Sequence, residues 1–116
     1  MVSTCKMFRI SEDTDFGSIT QKLKEFREVE PYEGRDREGE LITEVTDLEV
    51  EDGTLKGLYT KDTLVSIYHR DGEIQVPKTK ETRLVFQESR GEIFLVIFTE
   101  KPKANKIANE LSEAIF

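Results

Sequence analysis

Six apolar residues in a row, Ile93-Phe94-Leu95-Val96-Ile97-Phe98, constrain this chain more than any other stretch. All but Leu95 are β-branched or aromatic, and Gly91 and Pro102 bracket the segment. Such a run, read over residues 92–99, predicts a strand with side chains buried on both faces. Pro102 then suits the first turn of a helix. Ala104, Ile107, Ala108, Leu111 and Ile115 recur on one helical face, with Lys103, Asn105, Asn109 and Glu113 outside. That helix can lie back on one side of the strand. The other side needs a second covering: a curved-over sheet, a ligand or another protein.

Upstream, residues 3–10 alternate as a first strand, with Cys5, Met7 and Arg9 on one side and Lys6, Phe8 and Ile10 on the other. Asp13 or Thr14 is the expected N-cap of a helix reaching about Val29, with Phe16, Ile19, Leu23 and Phe26 on its apolar face. Glu30-Pro31 closes that helix. Residues 31–40 read as a polar loop, in which Arg35 and Arg37 are weak binding candidates. From Leu41 the pattern is strands divided by turns. The phase of 41–50 changes between Val45 and Leu48, which predicts a β-bulge. Residues 51–54 predict a tight turn, Lys61-Asp62 a second, Asp71-Gly72 a hairpin turn and residues 89–91 another. Pro77 predicts a break or an edge.

The expected fold class is therefore α+β: about six or seven antiparallel strands in the order β-α-β(5–6)-α, with two helices side by side on one sheet face. This element order resembles two known architectures over nearly the whole chain. One is a single repeat of the TATA-binding-protein (TBP-like) fold, and the other is the helix-grip fold of the START proteins. The resemblance implies a roll or saddle and carries no site residues, because it rests on element order.

A length of 116 residues predicts one domain spanning 1–116. The apolar ending Ala114-Ile115-Phe116 predicts either a docked last turn or the N-terminal domain of a longer protein. A net charge of −7 opposes polyanions and anionic membrane surfaces. The single cysteine, Cys5, forms no intrachain disulfide and is expected to be a buried structural thiol. With no secretory signal or spanning segment in the sequence, the expected location is cytoplasmic.

Motifs for chemistry are sparse. His69 is the sole histidine, and no His/Cys spacing suggests a metal. Ser66, His69 and Asp71 lie close in sequence but in no activating context. No glycine-rich phosphate loop is present. The 24 carboxylates single out no acid–base pair. No catalytic, cofactor or metal residue is expected.

Two patches remain. Tyr68, Val85, Phe94, Val96 and Phe98 form the candidate contact patch, on the sheet side that the helices leave bare. Lys78, Lys80 and Arg83 along one strand, with Lys101, Lys103 and Lys106 around the last helix start, form the candidate anion or nucleic-acid patch. The expected function is a non-enzymatic intracellular protein-interaction or self-association domain, most simply a homodimer acting through the apolar sheet face. The alternatives are a small-molecule-binding helix-grip-like domain and a nucleic-acid-binding TBP-like domain.

Overall fold

The computed structural model describes residues 4–10, 14–33, 38–70 and 72–115, apart from the side chains of His69 and Ile115. Six strands and two helices follow one another as β1 (Lys6–Ile10), α1 (Phe16–Glu25), β2 (Arg27–Glu33), β3 (Glu38–Glu51), β4 (Thr54–His69), β5 (Gly72–Ser89), β6 (Glu92–Ile97) and α2 (Lys101–Ile115). All strand pairs are antiparallel, in the order β1-β6-β5-β4-β3-β2. Strands β2 to β6 form a meander, and β1 closes its far edge against β6. The α+β class, the antiparallel sheet and the two flanking helices are as the sequence predicts.

Both helices cover the same sheet face. Ile93, Leu95 and Ile97 of β6 join Leu84 and Phe86 of β5, Leu55 and Tyr59 of β4 and Val45 of β3 in one core. Ile19 and Leu23 of α1, with Ala104, Ile107 and Leu111 of α2, close it from above. Phe86, Ile19, Leu23, Leu55, Leu84, Ile97 and Leu111 are essentially sealed from solvent, so the centre of the layer between helices and sheet is filled by side chains. The alternation read for β1 holds, with Lys6, Phe8 and Ile10 turned to this core and Met7 and Arg9 away from it. Lys6 reaches Asn105 of α2 with a 2.5 Å hydrogen bond, which draws Asn105 from its expected outward place into a half-buried one.

Helix α1 differs from its expected span of 14–29. Asp15, and not Thr14, is the N-cap: its carboxylate accepts the Ser18 N–H at 2.8 Å, and Asp13 lies outside the described residues. The helix stops at Glu25. Phe26 is the C-cap, with an extended ψ of 111°, and still buries its ring, stacked on Tyr59 at a centroid distance of 6.5 Å. Residues 27–33 then run as strand β2 and pair with β3 from Arg27↔Glu44 to Glu33↔Glu38. The expected polar loop over 31–40 is thus strand at both ends; Arg35 and Arg37 lie outside the described residues. Cys5, expected to be buried, is exposed just before β1, because only the alternate residues of that strand meet the helices.

The predicted bulge is present. The β3–β4 register shifts between Thr46 and Glu49, and Asp47 takes a φ of 54°. Asp52-Gly53 and Arg90-Gly91 each place two successive residues at positive φ, the geometry of two-residue hairpin loops. The Asp71-Gly72 reading shifts by one residue: His69 pairs with Gly72, so Gly72 belongs to β5, and Asp71 lies outside the described residues.

Two expected interruptions are absent. Lys61-Asp62 continues β4, which pairs with β5 without a break from Thr54↔Gln87 to His69↔Gly72. Pro77 sits within β5 opposite Leu64. It is tolerated there because β6 pairs only with residues 84–89, leaving β5 a neighbour on one side at Pro77. Beyond Lys61, β3 has also ended its pairing with β4. Residues 62–69 and 72–79 therefore project as a two-stranded ribbon, and the molecule is elongated at 59 × 33 × 22 Å. Asp62 fastens the root of the ribbon. Its carboxylate accepts the Thr79 hydroxyl at 2.6 Å and the Ile42 N–H at 3.0 Å, tying β5, β4 and β3 together where the ladder opens.

Candidate functional site

Alternation along the strands divides the candidate residues between two faces. The helix-free face takes Val85 of β5 and Phe94 and Val96 of β6, with Phe98 just beyond the strand. Val85 pairs with Val96, and Val96 with Met7 of β1, so an apolar row crosses three strands. The Phe98 N–H extends the ladder by donating to the Arg83 carbonyl at 3.1 Å. Leu58 of β4, paired with Arg83, adds a half-buried side chain at the margin. Met7 and Phe98 are 61% and 42% exposed, whereas Val85, Phe94 and Val96 are half-buried among their neighbours. Sequence reasoning missed Met7 as a patch member, although its phase in β1 carried the signal.

Tyr68 does not join this patch. It lies near the tip of the ribbon, 77% exposed, and its strand partner is Glu73. At about 3.3 Å per residue, the run from Lys56, which pairs with Val85, to Tyr68 spans roughly 40 Å. Charges of both signs ring the apolar row. Arg9 meets Glu92 at 3.6 Å at one end, and Lys56, Arg83 and Glu81 lie toward β4.

The candidate basic residues are likewise divided. Lys80, Lys103 and Lys106 come together, with Lys61, around a cleft of about 230 Å³ between α2 and the helix-covered face of β4 and β5. Tyr59, Thr63, Thr82, Ile107 and Glu110 complete its lining. Lys78, two residues before Lys80 on the same face of β5, stands outside this lining opposite Thr63. Lys101, at the first residue of α2, is also outside it, and Arg83 turns to the opposite face of the sheet.

A polar triad on the cleft wall joins β4 to α2. The Lys61 ammonium donates to Oε1 of Glu110 at 2.8 Å, and the Tyr59 hydroxyl donates to Oε2. Burial, reinforced by the Glu110 carboxylate, pushes the Tyr59 phenol far above its ordinary value. Glu110 moves the other way. Burial alone would raise it, but the Lys61 and Tyr59 hydrogen bonds, with Lys106 nearby, hold its carboxyl below the usual range. Asp62 is held low by the Thr79 hydroxyl and then by the Ile42 N–H. Neither Lys61 nor Glu110 was singled out from sequence, since nothing local relates a strand lysine to a carboxylate on the last helix.

Among the described residues, no cluster of three His, Cys, Asp or Glu side chains is placed to hold a metal ion. The His69 side chain and Asp71, two thirds of the catalytic grouping weighed above with Ser66, lie outside the described residues. No helix among the described residues is long and apolar enough to cross a membrane. Comparison with known family models, with curated proteins and with solved structures finds no match to this chain.

Proposed function

We propose that this chain is a non-enzymatic self-association domain, in which the helix-free sheet face meets the same face of a second copy. One observation carries the reading: Met7, Val96 and Val85 form an unbroken apolar row across three strands, flanked by Phe94 and Phe98, on the face without a helix. The mixed-sign rim favours a second copy as occupant. Under a two-fold rotation, Arg9, Lys56 and Arg83 of one copy can face Glu92 and Glu81 of the other, despite a net charge of −7. A rim of one sign would forbid that.

Size sets the strength. Three strand spacings of about 4.8 Å by five residues at about 3.3 Å give a footprint on the order of 200 Å². A stable dimer buries roughly 800 Å² per partner. The patch is thus the centre of an interface whose rim must supply the rest, and the assembly is concentration-dependent, with Kd in the micromolar range or weaker. Within the resemblance noted above, the sealed centre of the core, with the cleft beside α2 lined by exposed lysines, favours a TBP-like saddle over a helix-grip roll with a central cavity. The net charge of −7 favours a protein partner over a nucleic acid.

Light scattering at two concentrations, about 20 μM and 1 mM, tests the reading. The expected result is a rise in mass toward the dimer, abolished by Phe98→Glu in a chain that keeps its native amide spectrum. A monomer at both concentrations overturns the proposal.

A further inference from the structure

The cleft beneath α2 gathers like charges in an acidic protein. Four ammonium groups, of Lys61, Lys80, Lys103 and Lys106, share its lining with one carboxylate, Glu110. Glu110 is engaged by Lys61 and Tyr59. Lys103 has a 3.6 Å contact with Glu100, the residue just before α2. Lys80 has no ion pair or hydrogen bond among the described residues. The cleft is therefore left with uncompensated positive charge, and its like charges repel unless an anion enters.

We propose that this cleft binds a small organic phosphate, whose phosphoryl oxygens are held by Lys80, Lys103 and Lys106 and whose apolar body rests on Tyr59 and Ile107. A phosphate monoester carries nearly two charges at neutral pH and three strong acceptor oxygens, which suits several compact ammonium donors. Thr63 and Thr82 bring hydroxyl groups to the same lining. A volume of about 230 Å³ lies below the roughly 300–1,000 Å³ typical of drug-sized sites, so the ligand is of one-ring size. Glu110 lies in the same lining as a built-in competitor for the cations. The site is on the opposite sheet face from the self-association patch and does not depend on it.

The test is titration of the isotope-labelled chain with phenyl phosphate, using phenol as the neutral control, followed through backbone amide shifts. Saturable binding is expected, with shifts concentrated at Lys61, Lys80, Thr82, Lys106 and Ile107, about tenfold tighter than for phenol. Lys80→Glu with Lys106→Glu is expected to weaken it by about tenfold or more, while Lys24→Glu, exposed on α1 and outside both the cleft and the apolar patch, changes it by less than about twofold. Because Lys80 and Lys106 are exposed, those variants keep the fold, and the comparison with phenol needs no variant at all. Glu110→Gln is expected to tighten binding by about threefold, since a competing carboxylate is gone. Non-saturating shifts, equal binding of phenol, or equal sensitivity to Lys24→Glu each overturn the proposal. So does tighter binding of a short DNA duplex through the same lysines, which would make the surface a polyanion contact.

Discussion

Replacing Tyr59 by Phe isolates the polar link between β4 and α2. The ring stays, with its stacking on Phe26 and its burial in the core, and only the hydroxyl that donates to Glu110 is lost. A hydrogen bond to a charged acceptor contributes about 1.5–3 kcal/mol. Glu110 is about a third exposed, at 33% of its side chain, so water can replace part of the loss and the lower end applies, about 1.5 kcal/mol. Lys61→Met keeps the stem and removes the ammonium. Its pair with Glu110 is 42% exposed on the lysine side, and screening reduces it to about 0.5 kcal/mol. For a domain of this size, about 4 °C per kcal/mol predicts Tm losses of about 6 °C and 2 °C respectively. Both effects depend on the Glu110 carboxylate, whose folded-state pKa is depressed. Its contribution is complete above the ordinary glutamate pKa, near 4.3, and disappears as pH falls through the lower folded value. Thermal melts at pH 7 and at about pH 3, on the single variants and on the Tyr59→Phe/Glu110→Gln cycle, measure this. A Tyr59→Phe loss smaller than that of Lys61→Met, or unchanged at low pH, refutes the reasoning.

Two further outcomes follow from adjacent residues on opposite faces and from the ribbon root. Leu84→Ala, fully buried, is expected to cost about 2–5 kcal/mol of a total near 6–17 kcal/mol, against about 1 kcal/mol or less for Val85→Ala on the helix-free face; chemical denaturation compares them. Asp62→Ala releases the Ile42 N–H, so amide exchange at Ile42 is expected to accelerate while exchange in β6 is unchanged; equal protection in both chains would show that the carboxylate holds nothing.

What the sequence revealed depended on burial. Strand β6, helix α2 and the bulge in β3 lie over the core, where each side chain has one permitted direction and the pattern records it. The ribbon was misread because both of its faces meet solvent over much of its length. Polar pairs such as Lys61-Asp62 cost little there, and Pro77 lacks a second neighbour strand to offend. Strand β2 was hidden by Arg27-Glu28-Val29-Glu30, residues with fair helix propensity on an exposed edge, where pairing with β3 and not the core decides the conformation. The cleft was half visible. Its lysines could be counted along β5 and α2, but their convergence, and the roles of Lys61 and Glu110, come from folding the last helix over the fourth strand.

The placement of β1 beside β6 has a kinetic meaning. Every other ladder joins strands that follow one another in the chain, as Glu51 does Thr54, whereas Lys6 must wait for Ile97. Because its ladder closes the longest loop, the segment made first among the strands is expected to dock last, after the local ladders of β2 to β6. Until then Phe8 and Ile10 have no berth, and the flank of β6 stays open to strands from other chains. Haste in translation is therefore no help here; the β1–β6 ladder is timed by the arrival of the sixth strand.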